Sequence, residues 1–154
     1  MDSSTEMRVT KRNGELQDVA FDKILERVKK LGQEAGIHIN YSSLVMKVID
    51  QLYDTIPTAK IDELAAEQCA SLSTNHPDYA ILAARITISN HQKNTDSEFS
   101  DVMRNLYNFT NFKGENKPLV SQTLWDFTDK YGNELNSMID HNRDYLIDYF
   151  GFKT

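Results

Sequence analysis

The spacing of apolar residues changes once, at Asp22. Before it, two short extended runs, Arg8-Val9-Thr10-Lys11 and Leu16-Gln17-Asp18-Val19, flank Asn13-Gly14. Asn-Gly favours a tight turn because both residues accept positive φ, so the segment predicts a β-hairpin. After it, Ile24, Val28 and Leu31 recur at i, i+4 and i+7 with Leu25 beside them, the stripe of an amphipathic helix. Asp22 is placed to cap this helix, and Gly32 to Gly36 to end it.

A second helix is expected from Ser42 or Ser43, with Leu44, Val45, Val48, Ile49 and Leu52 facing inward. Pro57 closes the connection, and Thr58 is the expected N-cap of a third helix striped by Ile61, Leu64, Ala65, Gln68 and Leu72. Pro77 suits the first position of a fourth, carried by Ile81, Leu82, Arg85, Ile86 and Ile88 to about Lys93. The fold class is therefore mainly α, a β-hairpin capping four helices over residues 7–95, with residues 1–6 a flexible N-terminus.

Residues 96–154 read as further helices. Phe99, Val102, Met103 and Leu106 mark one, Ser121 to Lys130 another, and Leu135 to Ile139 a turn or two more. Lys113 to Pro118 is a loop by composition. Tyr145, Tyr149, Phe150 and Phe152 form an aromatic tail. It either packs on the preceding helices or awaits cover from a larger structure.

Composition narrows the function. The 154 residues carry a net charge of −6, which argues against general nucleic-acid binding. No apolar run reaches membrane-spanning length, and no charged-then-apolar leader opens the chain. The expectation is a cytoplasmic protein with neither membrane nor nucleic acid as partner. One cysteine, Cys69, makes no internal disulfide or cysteine zinc site, and reads as an inert core thiol. The four histidines show no paired ligand spacing, so no metal bound by side chains is expected. His141, within Asp140-His141-Asn142-Arg143-Asp144, has no nucleophile beside it and reads as part of a helix-end polar cluster. Catalysis by this chain alone is not expected.

Binding is better supported. Residues 1–30 hold seven basic and six acidic groups, while the rest of the chain is strongly acidic. Such a cationic island suits a phosphate site; the plain alternative is a solvated helix face. Lys11 and Arg12 precede the hairpin turn, and Lys23 opens the first helix, where free N–H groups favour an anion. Lys93 could add a fourth cation. Val9, Val19 and Ile24 offer an apolar floor for a base. Asp62, one turn from Thr58, could accept a sugar hydroxyl.

Val9-Thr10-Lys11-Arg12-Asn13-Gly14 with Phe21-Asp22-Lys23-Ile24 resembles the opening of the ATP-cone domain. Pro77-Asp78-Tyr79, Leu82-Ala83-Ala84-Arg85-Ile86 and Ser89-Asn90 are a second hallmark. Met46-Lys47-Val48-Ile49, Leu64-Ala65-Ala66-Glu67, Phe99-Ser100-Asp101-Val102-Met103, Asp140 to Asp144 and Tyr149 to Thr154 extend the resemblance to large subunits of class I ribonucleoside-diphosphate reductases.

The resemblance implies an allosteric activity site for deoxyribonucleotide synthesis. ATP, with Mg2+, would favour active assembly with the radical-carrying small subunit, and dATP an inhibited oligomer of large subunits. The matching contacts would be Lys11 and Arg12; Gln17, Asp18, Val19, Ala20, Phe21, Asp22 and Lys23 around base and phosphates; Ile24 beneath; and Thr58, Asp62 and Lys93 completing the site. Asn13 stands where relatives carry Asp. Gln17 stands where many carry Glu toward the adenine amino group, and its amide can still accept that bond without charge assistance. Cys69 matches none of the family's catalytic cysteines, which belong to a barrel expected to be absent here. Residues 96–154 would be the helical linker toward it. The alternatives are a stand-alone nucleotide-sensing regulator and an oligomerisation module; a zinc-ribbon repressor would need clustered cysteines.

Overall fold

The computed structural model describes residues 7–154, so the flexible N-terminus expected over residues 1–6 lies outside the described residues. They form two compact units, residues 7–94 with 144–154, and residues 95–143.

The first unit opens with strands β1 (Arg8–Thr10) and β2 (Leu16–Asp18), paired antiparallel with Val9 opposite Gln17. The turn is not the two-residue kind that Asn-Gly suggests. Gly14 N donates to Lys11 O and Lys11 N to Glu15 O, enclosing a three-residue loop. Gly14 alone takes the left-handed region, at φ 85°, while the Asn13 side chain accepts from Glu15 N.

Helix α1 (Phe21–Glu34) follows, then α2 (Tyr41–Ile49), capped by Asn40 through Ser43 N. Asp22 is not the cap of α1. Ala20 holds that position without a side-chain bond, and Asp22 lies in the first turn. Likewise Thr58 is the first residue of α3 (Thr58–Ser71), and Pro57 takes the cap position. Helix α4 runs from Pro77 to Asn94.

Between α2 and α3 lies a strand the periodicity did not announce. β3 (Ile56–Pro57) pairs parallel with β1, giving a three-stranded sheet in the order β2-β1-β3. Two residues are too few to show a period. Thr55 precedes it at φ 63°, an outlying conformation for a β-branched residue. The hairpin over-determines this geometry. Thr55 N donates to Arg8 O, Thr10 Oγ1 donates to Thr55 O, and Arg8 N donates to the Asp54 carboxylate.

The core joins Val9, Val28, Leu31, Leu44, Val45, Val48, Ile56, Ala65, Leu82 and Ile86, all buried. Cys69 is among them, and burial pushes its thiol up to about 12, which keeps it protonated and inert. The aromatic tail settles here. Helix α7 (Tyr149–Lys153) buries Tyr149 in this core. Arg85 stacks on Tyr145 at 4.2 Å, His91 meets the Phe152 ring at 5.1 Å, and Gln92 Nε2 donates to Asp144 at 2.8 Å.

The second unit pairs α5 (Phe99–Tyr107) with α6 (Gln122–Met138). The two segments expected within 121–139 are one helix, broken in geometry at Tyr131 (φ −116°, ψ 16°). Thr128 Oγ1 donates back to Leu124 O, a bond that bends helices, just before the break. Gly132 follows it, where a Cβ would come within 3.0 Å of Ser100 Cβ. Ser100 N donates to Asn136 Oδ1, and Asn136 Nδ2 donates back to Ser100 Oγ. The chain then passes through a 3-10 turn (His141–Leu146), where His141 Nε2 lies 3.0 Å from Ser97 O.

Candidate nucleotide site

The hairpin, the N-terminal turns of α1 and α3, and the C-terminal turn of α4 meet around a cavity of about 240 Å³. Each element contributes for a local reason. The three-residue loop raises Arg12 at the tip of β1, and β2 brings Gln17 and Asp18. Parallel pairing of β3 with β1 sets the first turn of α3 beside the hairpin. Ala20 and Thr58 both line the cavity, each at a helix start whose cap residue makes no side-chain bond. Their first-turn N–H groups are thus not taken up by a capping side chain.

Five cations line the cavity: Lys11, Arg12, Lys23, Arg27 and Lys93. Two carboxylates, Asp18 and Asp62, face them, a surplus of three positive charges on a chain of net charge −6. Lys23 and Lys93 have no carboxylate within ion-pair distance among the described residues. Among the described residues Lys11 has only an exposed 3.8 Å pair with Glu15. The crowding registers on Lys93, whose pKa is lowered first by burial, then by the Arg27, Arg12 and Lys30 charges, with Asp62 opposing. Val9, Ile24 and Ile61 supply an apolar wall. The arrangement suits a polyanion with an apolar, flat portion.

Beneath the cations runs a polar network. Arg12 Nε donates to Asn94 Oδ1 at 2.8 Å, and its Nη2 to Asn90 Oδ1 at 2.5 Å and Asp62 Oδ2 at 3.4 Å. Asn90 Nδ2 donates to Ala59 O at 3.2 Å. Asp62 is buried and also receives Arg27. The Arg12 tie fastens the hairpin to α3 and α4.

Of the residues expected at the site, Lys11, Arg12, Gln17, Asp18, Ala20, Lys23, Ile24, Thr58, Asp62 and Lys93 line this cavity. Val19, Phe21 and Asp22 do not. Val19 and Phe21 pack against the core, and Asp22 points to solvent. Arg27 and Ile61 line it without having been expected there. Arg27 was legible: it falls four residues after Lys23, on the same helical face.

The family model for the ATP cone domain matches residues 7–94, the hairpin and four helices that build the cavity. The chain belongs to the ATP-cone family. Beyond the cone, similarity continues along almost the whole sequence. The large subunit of ribonucleoside-diphosphate reductase from Monkeypox virus is 47% identical over 150 residues, 96% of this chain and 20% of that protein. That of Caenorhabditis elegans is 43% identical over 95% of this chain and 19% of its own length. That of Plasmodium falciparum is 41% identical over 96% and 18%. The chain thus spans about a fifth of the curated relatives it matches. The cone match supports a nucleotide-sensing regulatory domain. Among the described residues, no cluster of three or more His, Cys, Asp or Glu side chains could hold a metal ion, and no helix is long and apolar enough to cross a membrane.

Proposed function

We propose that this chain is the activity-regulating region of a ribonucleoside-diphosphate reductase large subunit, with residues 7–95 as the sensing domain and 96–154 as the helical linker. ATP in the cavity favours an active assembly with the radical-carrying small subunit. dATP favours an inhibited assembly of large subunits. The setting is the cytoplasm, and Mg2+ enters on the phosphates rather than on protein side chains. The observation that carries this reading is the cationic surplus around an apolar wall, inside the span that matches the cone.

The roles divide by chemistry. Lys11, Lys23 and Lys93 attract the triphosphate, which both nucleotides share. Gln17 and Asp18 border the base, with Ile24 beneath it. The nucleotides differ by one 2′-hydroxyl, so discrimination belongs near the ribose, at Thr58 and Asp62. A hydrogen bond to a charged partner contributes about 1.5–3 kcal/mol. A coupling of about 1–3 kcal/mol is enough to bias an assembly equilibrium.

Calorimetric titration with ATP and dATP tests the reading. Both should bind. Lys11→Ala and Lys23→Ala should weaken both together, and Asp62→Asn should retain binding while narrowing the difference between them. Absence of binding by the unaltered chain would overturn it. Light scattering after size exclusion, with ATP, dATP or neither, then reads the assembly. Lys93 gives a pH signature. Its pKa is depressed in the free protein, and a bound polyphosphate opposes that shift, so binding takes up a proton as pH nears the depressed value. Affinity should fall as pH rises through that value, below the ordinary 10.5, and Lys93→Met should flatten this limb.

A further inference from the structure

Arg27 lines the cavity, but its donors are spoken for. Nε donates to Asp62 Oδ1 at 3.2 Å and Nη2 to Asp62 Oδ2 at 2.9 Å, a fork gripping both oxygens. Nη1 and Nη2 each lie 3.2 Å from Ser89 Oγ on α4. Arg12 Nη2 adds a third donor to Asp62, on Oδ2 at 3.4 Å. A carboxylate presents about four acceptor directions, two on each oxygen. Both on Oδ2 are therefore used, and one on Oδ1. The Asp62 side chain is only 8% exposed, so little freedom remains to turn it.

We propose that Arg27 is the positioning residue that sets sugar selectivity at this site. Its planar fork holds the Asp62 carboxylate in one orientation and leaves a single open acceptor direction, on Oδ1, for a ribose hydroxyl of a nucleoside triphosphate. The proposal rests on the nucleotide reading given above. It separates two kinds of cation. Lys11, Lys23 and Lys93 line the cavity without a buried carboxylate partner among the described residues and serve the phosphates. Arg27 serves Asp62. A lysine cannot take its place, because an ammonium is a point donor and does not fix a carboxylate plane. Ser89 holds the fork from α4, so it belongs to the same unit, one step removed.

The test is calorimetric titration of the full chain with Mg-ATP and Mg-dATP, for the unaltered protein, Arg27→Lys, Ser89→Ala, Asp62→Asn and the Arg27→Lys/Asp62→Asn double variant. Circular dichroism checks that each is folded. Arg27→Lys keeps the charge, so dATP affinity should change little, while the ATP-to-dATP ratio should move toward one by about fivefold or more. Ser89→Ala should move it the same way by less, and it preserves the test should Arg27→Lys fail to fold. The double variant should match Asp62→Asn alone in this ratio, since the two side chains act as one. Equal loss of affinity for both nucleotides, with the ratio unmoved, would make Arg27 a plain phosphate ligand and overturn the assignment. Failure of the unaltered chain to bind either nucleotide is a separate result, which overturns the nucleotide reading itself.

Discussion

The two units are built on different principles. The cone closes an apolar core: Val45, Val48, Ile56, Leu82 and Ile86 are each fully buried, and the largely buried Tyr149 packs in the same cluster. In residues 95–143 only Thr128 is buried, while Phe112 is 95% exposed and Met138 79%. What holds that unit is directional. Tyr107 and Trp125 stack with ring centres 5.1 Å apart, Ser100 and Asn136 exchange hydrogen bonds, and Ser121 caps α6. Area removed from water dominates folding energy, so the cone should carry most of it and residues 95–143 should follow local contacts.

The strongest way to break this contrast is to delete leucine methyls in both places. Leu82→Ala should destabilise the cone by about 2–5 kcal/mol in denaturant unfolding, because the cavity it leaves has no solvent to fill it. Leu119→Ala, at a side chain 59% exposed, should cost less than about 0.5 kcal/mol. Comparable losses would show that the two units share one energetic logic. Next in size is Trp125→Ala. Loss of the stack with Tyr107 should cost about 1 kcal/mol, read by near-ultraviolet dichroism of the 95–143 unit. Nucleotide affinity should be untouched. A change of opposite sign sharpens the picture of the cone. Thr55→Gly relieves a left-handed threonine and should raise stability by up to about 1 kcal/mol in thermal unfolding. A fall would mean that the threonine hydroxyl, which donates to Asp54 O, outweighs the backbone strain.

The sequence legibly encoded what has a period or a turn residue. The stripes over Ile24–Leu31 and Leu44–Leu52 placed two helices, Pro77 opened α4, and Asn13-Gly14 turned the hairpin. The helix starts were less legible. Asp22 and Thr58 are good capping types, yet the chain places Ala20 and Pro57 at the cap positions, with no side-chain capping bond at either. Strand β3 escaped because two residues carry no alternation, and its pairing depends on distant Arg8 and Thr10. Most candidate site residues come together because a basic hairpin followed by a basic helix start is a local pattern. The Asp62 engagement is not local. Arg12, Arg27 and Asp62 lie far apart in sequence, and nothing in their spacing says that they share a carboxylate.

The bond between Gln92 and Asp144 has a topological consequence. It brings the two ends of the 95–143 excursion to adjoining points on the cone, while Tyr149 fastens the returning helix α7 into the interior. A proteolytic nick within that excursion should therefore yield two fragments that stay together without a peptide link, migrating as two bands under denaturation and as one species in native buffer.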